Sequence, residues 1–267
     1  MPHIFESKKK SRSFLHSLEN GPKHIAFIMD GNRRFAQKQG KETIWGHQKG
    51  VTVIENILHW AYLAKVKHMT IYAFSTENFN REQAEVDGIF NLLEDALYKM
   101  MADEKILQKG IKIRMIGESE NIPQKTMSVL KELEAKTVSN KTMYLNIALA
   151  YGGRNDIVQA FEKIAAGRSA NGAELTDDEI SKYLFPYSDE IVPSVDLLIR
   201  TGSEHRTSNF LPWQANGNSA VVCYYDKFWP EFNFKDLFYL MRRYQKIENE
   251  RRKHNEKRLK KIDSFLK

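Results

Sequence analysis

The sequence predicts a single α/β domain in which a mainly parallel, six-stranded sheet is flanked by helices. Short apolar segments alternate along the chain with longer amphipathic segments, which is the pattern of repeated strand–helix units. The apolar segments are almost continuous, as expected for strands that are covered on both faces. With 267 residues, of which 42% are hydrophobic, the chain can bury a substantial core.

Six strands and five long helices account for most of the chain. The predicted strands span residues 24–29, 69–75, 112–117, 143–150, 195–201 and 220–225. The predicted helices span residues 46–64, 85–107, 123–138, 154–166 and 176–185. Thr176 and Glu179 have the spacing of a capping box at the start of the last helix. We therefore expect a domain at residues 21–241, an N-terminal arm at 1–20 and a basic helical tail at 242–267.

The net charge of +7 is concentrated at the C-terminal end of the chain. Residues 242–267 hold eleven Lys and Arg against four Asp and Glu, an excess that equals the net charge of the whole chain. A nucleic-acid-binding face would need a basic patch on the folded body, which the balanced composition of the remainder does not require, so we expect no nucleic-acid partner. Cys223 is the only cysteine, which excludes an intramolecular disulfide and favours a reducing, cytoplasmic location. No apolar run approaches the ~20 residues that span a bilayer, and the N-terminus lacks the apolar core of a signal peptide.

Polar residues follow the first predicted strand, at the edge where ligands bind in open α/β sheets. They read Asp-Gly-Asn-Arg-Arg, residues 30–34. Gly31 permits a tight turn into a helix start, where free N–H groups and the side chains of Arg33 and Arg34 favour an anion. Asp30 suits this place if a cation such as Mg²⁺ joins its carboxylate to phosphate oxygens. The alternative is an Asp-Gly turn followed by solvated arginines, and the motif alone favours neither interpretation.

Two further polar clusters follow later strands. Arg200, Arg206 and Ser208 surround a glycine turn after the fifth strand. They form a candidate second anion site, because guanidinium groups bind phosphate oxygens bidentately. The alternative is a charged loop in which Glu204 pairs with one arginine.

After the second strand, polar side chains interleaved with Phe79 suit a ligand that is charged at one end and apolar at the other. These polar residues are Ser75, Glu77, Asn78 and Arg81.

Two features have both a structural and a functional interpretation. His47 could donate a hydrogen bond to a phosphate, although a histidine that opens a helix is more often structural. The helix predicted at 85–107 has an unusually wide apolar face. Its members are Val86, Ile89, Phe90, Leu92, Leu93, Ala96, Leu97, Met100 and Met101. Such a face could line a tunnel for a hydrocarbon, but the sequence alone favours core packing.

Six blocks of the sequence, taken in order, resemble the cis-prenyltransferases, the family of undecaprenyl and dehydrodolichyl diphosphate synthases. The blocks are HIAFIMDGNRR, WGH, AFSTENFNR, LNIALAYGGR, DLLIRTGSEHRTSNFLPWQ and WPEF, between about residues 24 and 232. The resemblance implies a hydrophobic tunnel and a transferase that condenses isopentenyl diphosphate with an allylic prenyl diphosphate. The implied products are a Z-polyprenyl diphosphate and pyrophosphate. The chain has no DDxxD motif, which argues against the trans-prenyltransferases.

The resemblance also implies roles for individual residues. It places Mg²⁺ on Asp30 and the primer diphosphate on Gly31, Asn32, Arg33 and Arg34. It places isopentenyl diphosphate on Arg200, Arg206 and Ser208. The other implied substrate contacts are Phe35, His47, Ser75, Thr76, Glu77, Phe79, Arg81 and Thr207. We expect Asn78 to position the substrate or relay a proton, because a neutral amide is a poor base.

The sequence departs from the family pattern at several positions. Thr43 stands where the family often has an arginine, and Phe35 and Phe79 replace tryptophans. Ser203 replaces the second glycine of an Arg-Thr-Gly-Gly-Glu segment. Val221 occupies the position of a glutamate that supplies a metal ligand to the partner subunit in bacterial members. One protein ligand for Mg²⁺ is therefore expected to be missing.

These departures leave two alternatives open. The RxG signature of homodimeric members is not evident, since residues 242–246 read RRYQK. The chain could therefore be a partner-dependent or non-catalytic subunit of a prenyltransferase complex, or an enzyme with another acceptor or regiochemistry. Retention of the motif residues favours an active enzyme: Asp30, Asn78, Arg200, Arg206 and Ser208. The expected partners are the two diphosphates, a second copy of the chain or another subunit, and a membrane surface that the basic tail contacts peripherally.

Overall fold

The computed structural model describes residues 20–167, 175–186, 190–216 and 220–265. Six strands form one sheet in which every neighbouring pair is parallel. They are β1 (His24–Ile28), β2 (His68–Ser75), β3 (Ile111–Ile116), β4 (Met143–Tyr151), β5 (Leu197–Thr201) and β6 (Val221–Tyr225). Their order is β3-β4-β2-β1-β5-β6, which confirms the predicted fold class. Apart from its last residue, the arm expected at 1–20 lies outside the described residues.

Helices connect the strands and cover the sheet. They are α1 (Asn32–Lys38), α2 (Thr43–Leu63), α3 (Gln83–Ala102), α4 (Glu104–Gln108), α5 (Gln124–Thr137), α6 (Gly153–Gly167), α7 (Asp177–Tyr183) and α8 (Phe234–Phe265). Short 3-10 helices span Thr76–Asn80 and Trp229–Glu231. The prediction of one helix at 85–107 was wrong, because Asp103 has an extended backbone and separates α3 from α4. Aspartate side chains compete with the helical backbone for hydrogen bonds, so they end helices readily.

The two faces of the sheet carry separate apolar cores, and side chains alternate between these cores along each strand. Ile25 and Phe27 of β1 face the larger core, to which α2, α3, α5 and α8 contribute buried side chains. Ala26 and Ile28 face the smaller core, which includes Phe210 from the loop after β5. Because both faces are covered, the strands are apolar almost throughout, and this is what made them recognisable in the sequence.

Helix α8 begins inside the domain and ends outside it. Leu237, Leu240 and Met241 are completely buried, and Ile247 still packs against the larger core. From residue 252 to residue 259, every side chain is exposed. The boundary expected at residue 242 therefore falls within a continuous helix. Among the described residues, no helix has the combination of length and apolar character that crossing a bilayer requires.

A ladder of buried polar side chains crosses the sheet on the side of the smaller core. The Asn146 amide donates to the Thr70 hydroxyl over 2.9 Å, and Arg114 donates to Asn146 over 3.0 Å. His24 Nε2 lies 2.8 Å from the same hydroxyl, and His24 Nδ1 lies 2.9 Å from the Pro193 carbonyl. Because a carbonyl only accepts, Nδ1 carries the proton, and the Thr70 hydroxyl donates to Nε2. These partners select the tautomer of His24, and burial keeps its ring neutral.

We predict that the free energy of unfolding decreases as the pH falls from 6.5 towards 4. Burial lowers the pKa of His24 from 6.5 to about 4. Between these two pH values His24 is protonated in the unfolded chain but not in the folded chain. The free energy of unfolding is therefore unaffected by His24 above pH 6.5 and decreases progressively below it. One pKa unit corresponds to ~1.4 kcal/mol, so the loss from His24 is about 3 kcal/mol. Urea denaturation at a series of pH values measures this loss.

The variant His24→Gln keeps a hydrogen-bonding side chain that does not titrate, so its stability should vary less with pH than that of the parent chain. Some dependence remains, because burial also lowers the pKa of His68, to about 3. His254→Gln, on the exposed part of α8, is the matched control and should keep the parental dependence. An unchanged dependence in His24→Gln would contradict the prediction.

Candidate functional site

A cavity of about 820 Å³ opens at the carboxyl edge of the sheet, beside the end of β1. Strand β1 lies between β2 and β5, so the chain departs from it on one side and returns on the other. A crevice at such a switch point is the usual ligand site of open α/β sheets. The predicted site residues that line the cavity are Asp30, Gly31, Asn32, Arg33, Arg34, His47, Ser75, Glu77, Asn78, Arg81, Arg200, Arg206 and Ser208.

Asp30 and Arg200 form the centre of the polar end of this cavity. Arg200 Nη2 donates to Asp30 Oδ2 over 2.8 Å, and Arg34 Nη2 donates to Asp30 Oδ1 over 3.0 Å. Arg200 Nη1 also donates to the Arg206 carbonyl over 2.7 Å and to the Ser208 hydroxyl over 2.6 Å. The Arg200 side chain is only 5% exposed. It therefore joins the two clusters that the sequence presented as separate anion sites.

Glycines allow the loops after β1 and β5 to approach each other closely. Gly31 and Gly202 have φ angles of 103° and 88°, in the left-handed region that glycine adopts readily. A Cβ atom on Gly202 would lie 2.7 Å from Arg34 Nη2 and 3.1 Å from the Asp30 backbone. A side chain at this position would therefore displace the groups that hold the Asp30 carboxylate.

The loop after β5 has a strained backbone. Ser203, Ser208, Asn209 and Leu211 all have φ angles between 47° and 65°, although none of them is glycine. Each such residue costs roughly 1–2 kcal/mol, and this kind of strain clusters at functional sites. Ser203 is the position at which the family pattern has a glycine, and its φ of 65° explains that preference.

Asn209 is a cavity residue that the sequence interpretation missed. Its Oδ1 accepts from the Arg154 amide over 2.8 Å, and its carbonyl accepts from the Gly153 amide over 2.9 Å. Its Nδ2 lies 3.4 Å from a carboxylate oxygen of Glu77. The residue follows Ser208 directly in the sequence, but its position depends on a left-handed backbone conformation. No local sequence pattern predicted that conformation. Asn209 thus anchors the strained loop to the start of α6.

The turn after β2 is held by its own side chains. Asn78 Oδ1 accepts from the Ser75 amide over 3.1 Å, within a reciprocal capping box at the start of the 3-10 helix. Burial alone would raise the pKa of Glu77. Hydrogen bonds from its own amide and from Ser75, Asn209 and Thr76 outweigh burial and hold that pKa below its ordinary value. Asn78 therefore shapes the turn, which agrees with a positioning role.

The other end of the cavity is apolar. Its wall consists of Ile54 from α2 and a stripe of α3 residues. These are Ile89, Leu92, Leu93, Ala96, Leu97 and Met100. The adjacent stripe of α3 is buried in the larger core, where Val86 and Phe90 are no more than 5% exposed. Leu97 belongs to both stripes, since it lines the cavity and is buried in the core. The core-packing interpretation is therefore confirmed, and part of the same apolar face lines the cavity.

Four predicted site residues do not line the cavity. Phe35 stacks on Trp45, with 5.4 Å between ring centroids. Phe79 packs against the larger core and contacts Phe74 and Phe90. The Thr76 hydroxyl lies 3.4 Å from Glu77 Oε2, and the Thr207 carbonyl accepts from the Phe210 amide. These residues support the walls instead of forming them.

Three polar atoms of cavity-lining side chains are buried without a hydrogen-bond partner: Asn32 Oδ1, His47 Nε2 and Arg200 Nε. Buried polar groups are nearly always paired, so such a group of atoms at one cavity indicates a polar ligand. Burial, and then the charge of Arg81, lower the pKa of His47, so its ring is neutral at neutral pH. A neutral imidazole can donate one hydrogen bond to an anion.

The described residues contain no group of three or more His, Cys, Asp or Glu side chains arranged to hold a metal ion. Val221 is buried in the larger core and supplies no ligand, as its side chain implies. Asp30 is 28% exposed, and each carboxylate oxygen has lone pairs beyond the one that an arginine uses. A divalent cation therefore fits this site only if ligand oxygens and water complete its coordination.

The chain is similar to proteins of one known family. Residues 28–253 match the prenyltransferase family model described as undecaprenyl diphosphate synthase. Tritrans,polycis-undecaprenyl-diphosphate synthase (geranylgeranyl-diphosphate specific) of Methanosarcina mazei is 43% identical over 92% of this chain and 83% of its own length. The enzyme of the same name from Archaeoglobus fulgidus is 40% identical over 91% of this chain and 95% of its own length.

A solved structure of another prenyl diphosphate synthase is also similar to this chain. Lavandulyl diphosphate synthase from Lavandula x intermedia, in complex with dimethylallyl diphosphate, aligns with a TM-score of 0.78 and 33% identity. The alignment covers 84% of this chain and 95% of the other. The parallel sheet, the arginine-rich cavity and these similarities agree, and the chain belongs to the undecaprenyl diphosphate synthase family of cis-prenyltransferases.

Proposed function

We propose that this cis-prenyltransferase extends geranylgeranyl diphosphate with isopentenyl diphosphate. The observation that carries the proposal is a single cavity with an arginine-rich end at Asp30 and an apolar wall on α3. An allylic diphosphate needs both ends, one for its charge and one for its hydrocarbon tail. The choice of primer is supported by relatives whose names specify geranylgeranyl diphosphate. The word tritrans in these names denotes three trans double bonds in the product. An all-trans geranylgeranyl primer already contains three such bonds.

The side chains at the end of β1 bind the primer diphosphate. Arg33 and Arg34 hold its oxygens beside Asn32 and stabilise the negative charge that develops as the allylic C–O bond breaks. Asp30 would hold Mg²⁺ together with phosphate oxygens and water, and the ion would neutralise part of the same charge. The apolar stripe of α3 receives the hydrocarbon tail.

Arg206 and Ser208 bind isopentenyl diphosphate, and Arg200 sets the distance between the two diphosphates because it contacts both clusters. The isopentenyl double bond forms the new carbon–carbon bond as the primer loses pyrophosphate, and a proton is then released. Holding both reactants in one cavity removes much of the entropic barrier to this step. Asn78 keeps the turn after β2 in place, so that the attacking double bond meets one face of the allylic carbon.

The proposal includes a homodimer with the basic part of α8 at a membrane surface. Val158 and Phe161 of α6 are 52% and 48% exposed and lie one turn apart, which supports an apolar contact between copies. A heteromer with another prenyltransferase subunit is the alternative. A second candidate activity, with dimethylallyl diphosphate as the primer, is favoured by the similarity to lavandulyl diphosphate synthase.

A panel of primers tests the proposed activity. The purified chain is incubated with Mg²⁺, labelled isopentenyl diphosphate and one of four primers: dimethylallyl, geranyl, farnesyl or geranylgeranyl diphosphate. We expect the highest kcat/KM with geranylgeranyl diphosphate, a long polyprenyl product, and loss of activity when a chelator removes the metal. A preference for dimethylallyl diphosphate would favour the second candidate. No incorporation with any primer would indicate a partner-dependent or non-catalytic subunit and would refute the proposal.

The variant Asp30→Ala should lower kcat by about 10²–10³-fold, because it removes the carboxylate around which the diphosphate-binding arginines are arranged. Steady-state kinetics with saturating primer measure this change, and far-UV circular dichroism checks that the fold is retained. Asp178→Ala, on exposed α7, is the matched control and should keep parental kcat. Near-parental turnover of Asp30→Ala would show that Asp30 has no role in catalysis.

The basic part of α8 should bind anionic lipid. Each Lys or Arg near such a surface contributes up to ~1 kcal/mol, and salt screens this attraction. A truncation after Ile247 keeps the part of α8 that packs against the domain. In vesicle co-sedimentation, the full chain should bind anionic vesicles at low salt, and the truncated chain should not. Neutral vesicles are the control, and equal binding of both chains to anionic vesicles would rule out the tail as the anchor.

A further inference from the structure

Glu85, in the first turn of α3, contacts three side chains of the cavity: two arginines and the neutral imidazole of His47. Its Oε1 accepts from Arg81 Nη1 over 2.9 Å and lies 3.5 Å from His47 Nε2. Its Oε2 lies 3.8 Å from Arg33 Nε. The Glu85 side chain is 12% exposed, whereas Arg81 and Arg33 are 26% and 59% exposed. The contact with Arg81 is therefore the strongest of the three, and the contact with Arg33 is the weakest.

The three residues that Glu85 contacts come from three different parts of the fold. Arg33 belongs to α1, His47 to α2, and Arg81 to the turn before α3. All three line the cavity, and Glu85 lies behind them, outside the lining. Two arginines side by side repel each other, and their long side chains have many rotamers. A largely buried carboxylate at their meeting point fixes both the distance between them and their direction.

Stabilisation of the helix start is the competing explanation. A negative charge in the first turn of any helix interacts favourably with the helix dipole. Glu82 already provides such a charge at the same helix start, on an exposed side chain. The dipole does not require that a second carboxylate turn inward, where desolvation penalises it, towards cations that face a cavity.

We infer that Glu85 is a positioning residue that holds Arg81 and His47, and more loosely Arg33, in place for the primer diphosphate. This inference rests on the proposed function, because it assigns the same cavity end to a diphosphate. The inference also predicts whether the affinity for an anion rises or falls when the negative charge of Glu85 is removed. Removal of a negative charge near an anion site would by itself tighten anion binding, whereas loss of positioning weakens it.

The variant Glu85→Gln distinguishes these two outcomes. Isothermal titration with inorganic pyrophosphate should show weaker binding to Glu85→Gln than to the parent chain. With geranylgeranyl diphosphate as the primer, kcat/KM should fall on the order of tenfold to a hundredfold, as expected for a misplaced catalytic contact. Glu82→Gln, which removes the same charge from an exposed side chain of the same turn, should leave both quantities near parental values. Equal or tighter pyrophosphate binding to Glu85→Gln would overturn the inference.

A double-mutant cycle separates positioning from general structural damage. Pyrophosphate affinity is measured for Arg81→Ala with and without Glu85→Gln. If Glu85 acts through Arg81, its substitution should have a much smaller effect in the Arg81→Ala background. An equal effect in both backgrounds, accompanied by a lower Tm, would indicate a structural role and reject the inference. Because the titration requires no turnover, this result does not depend on whether the chain accepts the proposed primer.

Discussion

The ion pair between Asp30 and Arg200 is the contact on which the site depends. It joins the carboxyl ends of two adjacent strands, β1 and β5, across the point where the chain changes direction in the sheet. Arg200 is almost completely buried, so its charge requires a partner in the ligand-free state, and Asp30 is that partner. The same guanidinium holds the Arg206 carbonyl and the Ser208 hydroxyl. One side chain thus fixes the relative position of the two clusters that are proposed to bind diphosphates.

Helix α3 has two functions that impose different demands on its sequence. One stripe packs against the larger core, and the adjacent stripe lines the cavity, where the proposed function places a hydrocarbon tail. Its first turn carries Glu85, which faces the cationic end of the cavity. Farther along, Glu94 accepts from the Thr126 hydroxyl over 2.7 Å and pairs with Lys125 over 2.6 Å. These polar contacts connect α3 to α5 on the side away from the cavity.

Strain and unpaired polar atoms occur together at the cavity. The left-handed residues of the loop after β5 and the buried Nε atom of Arg200 are unfavourable in isolation. The surrounding fold maintains them, because the loop is anchored to α6 through Asn209 and to β1 through Arg200. The polar ladder that includes His24 is also incompletely paired, because Arg114 Nη2 is buried without a hydrogen-bond partner. The cavity differs in that three such atoms belong to side chains that line one open space.

The sequence by itself determined the six strands of the parallel sheet, most helices and most of the cavity's polar residues. It could do so because buried strands are apolar throughout and because motif residues follow them directly. Only the tertiary structure decided that Arg200 bridges two clusters, that α3 divides its apolar face, and that Glu85 and Asn209 belong to the site. These roles arise from contacts between segments that are distant in the chain, and local pattern does not encode such contacts. Asp103 was missed for a different reason, since the apolar periodicity of α3 continues into α4 although the backbone between them is extended.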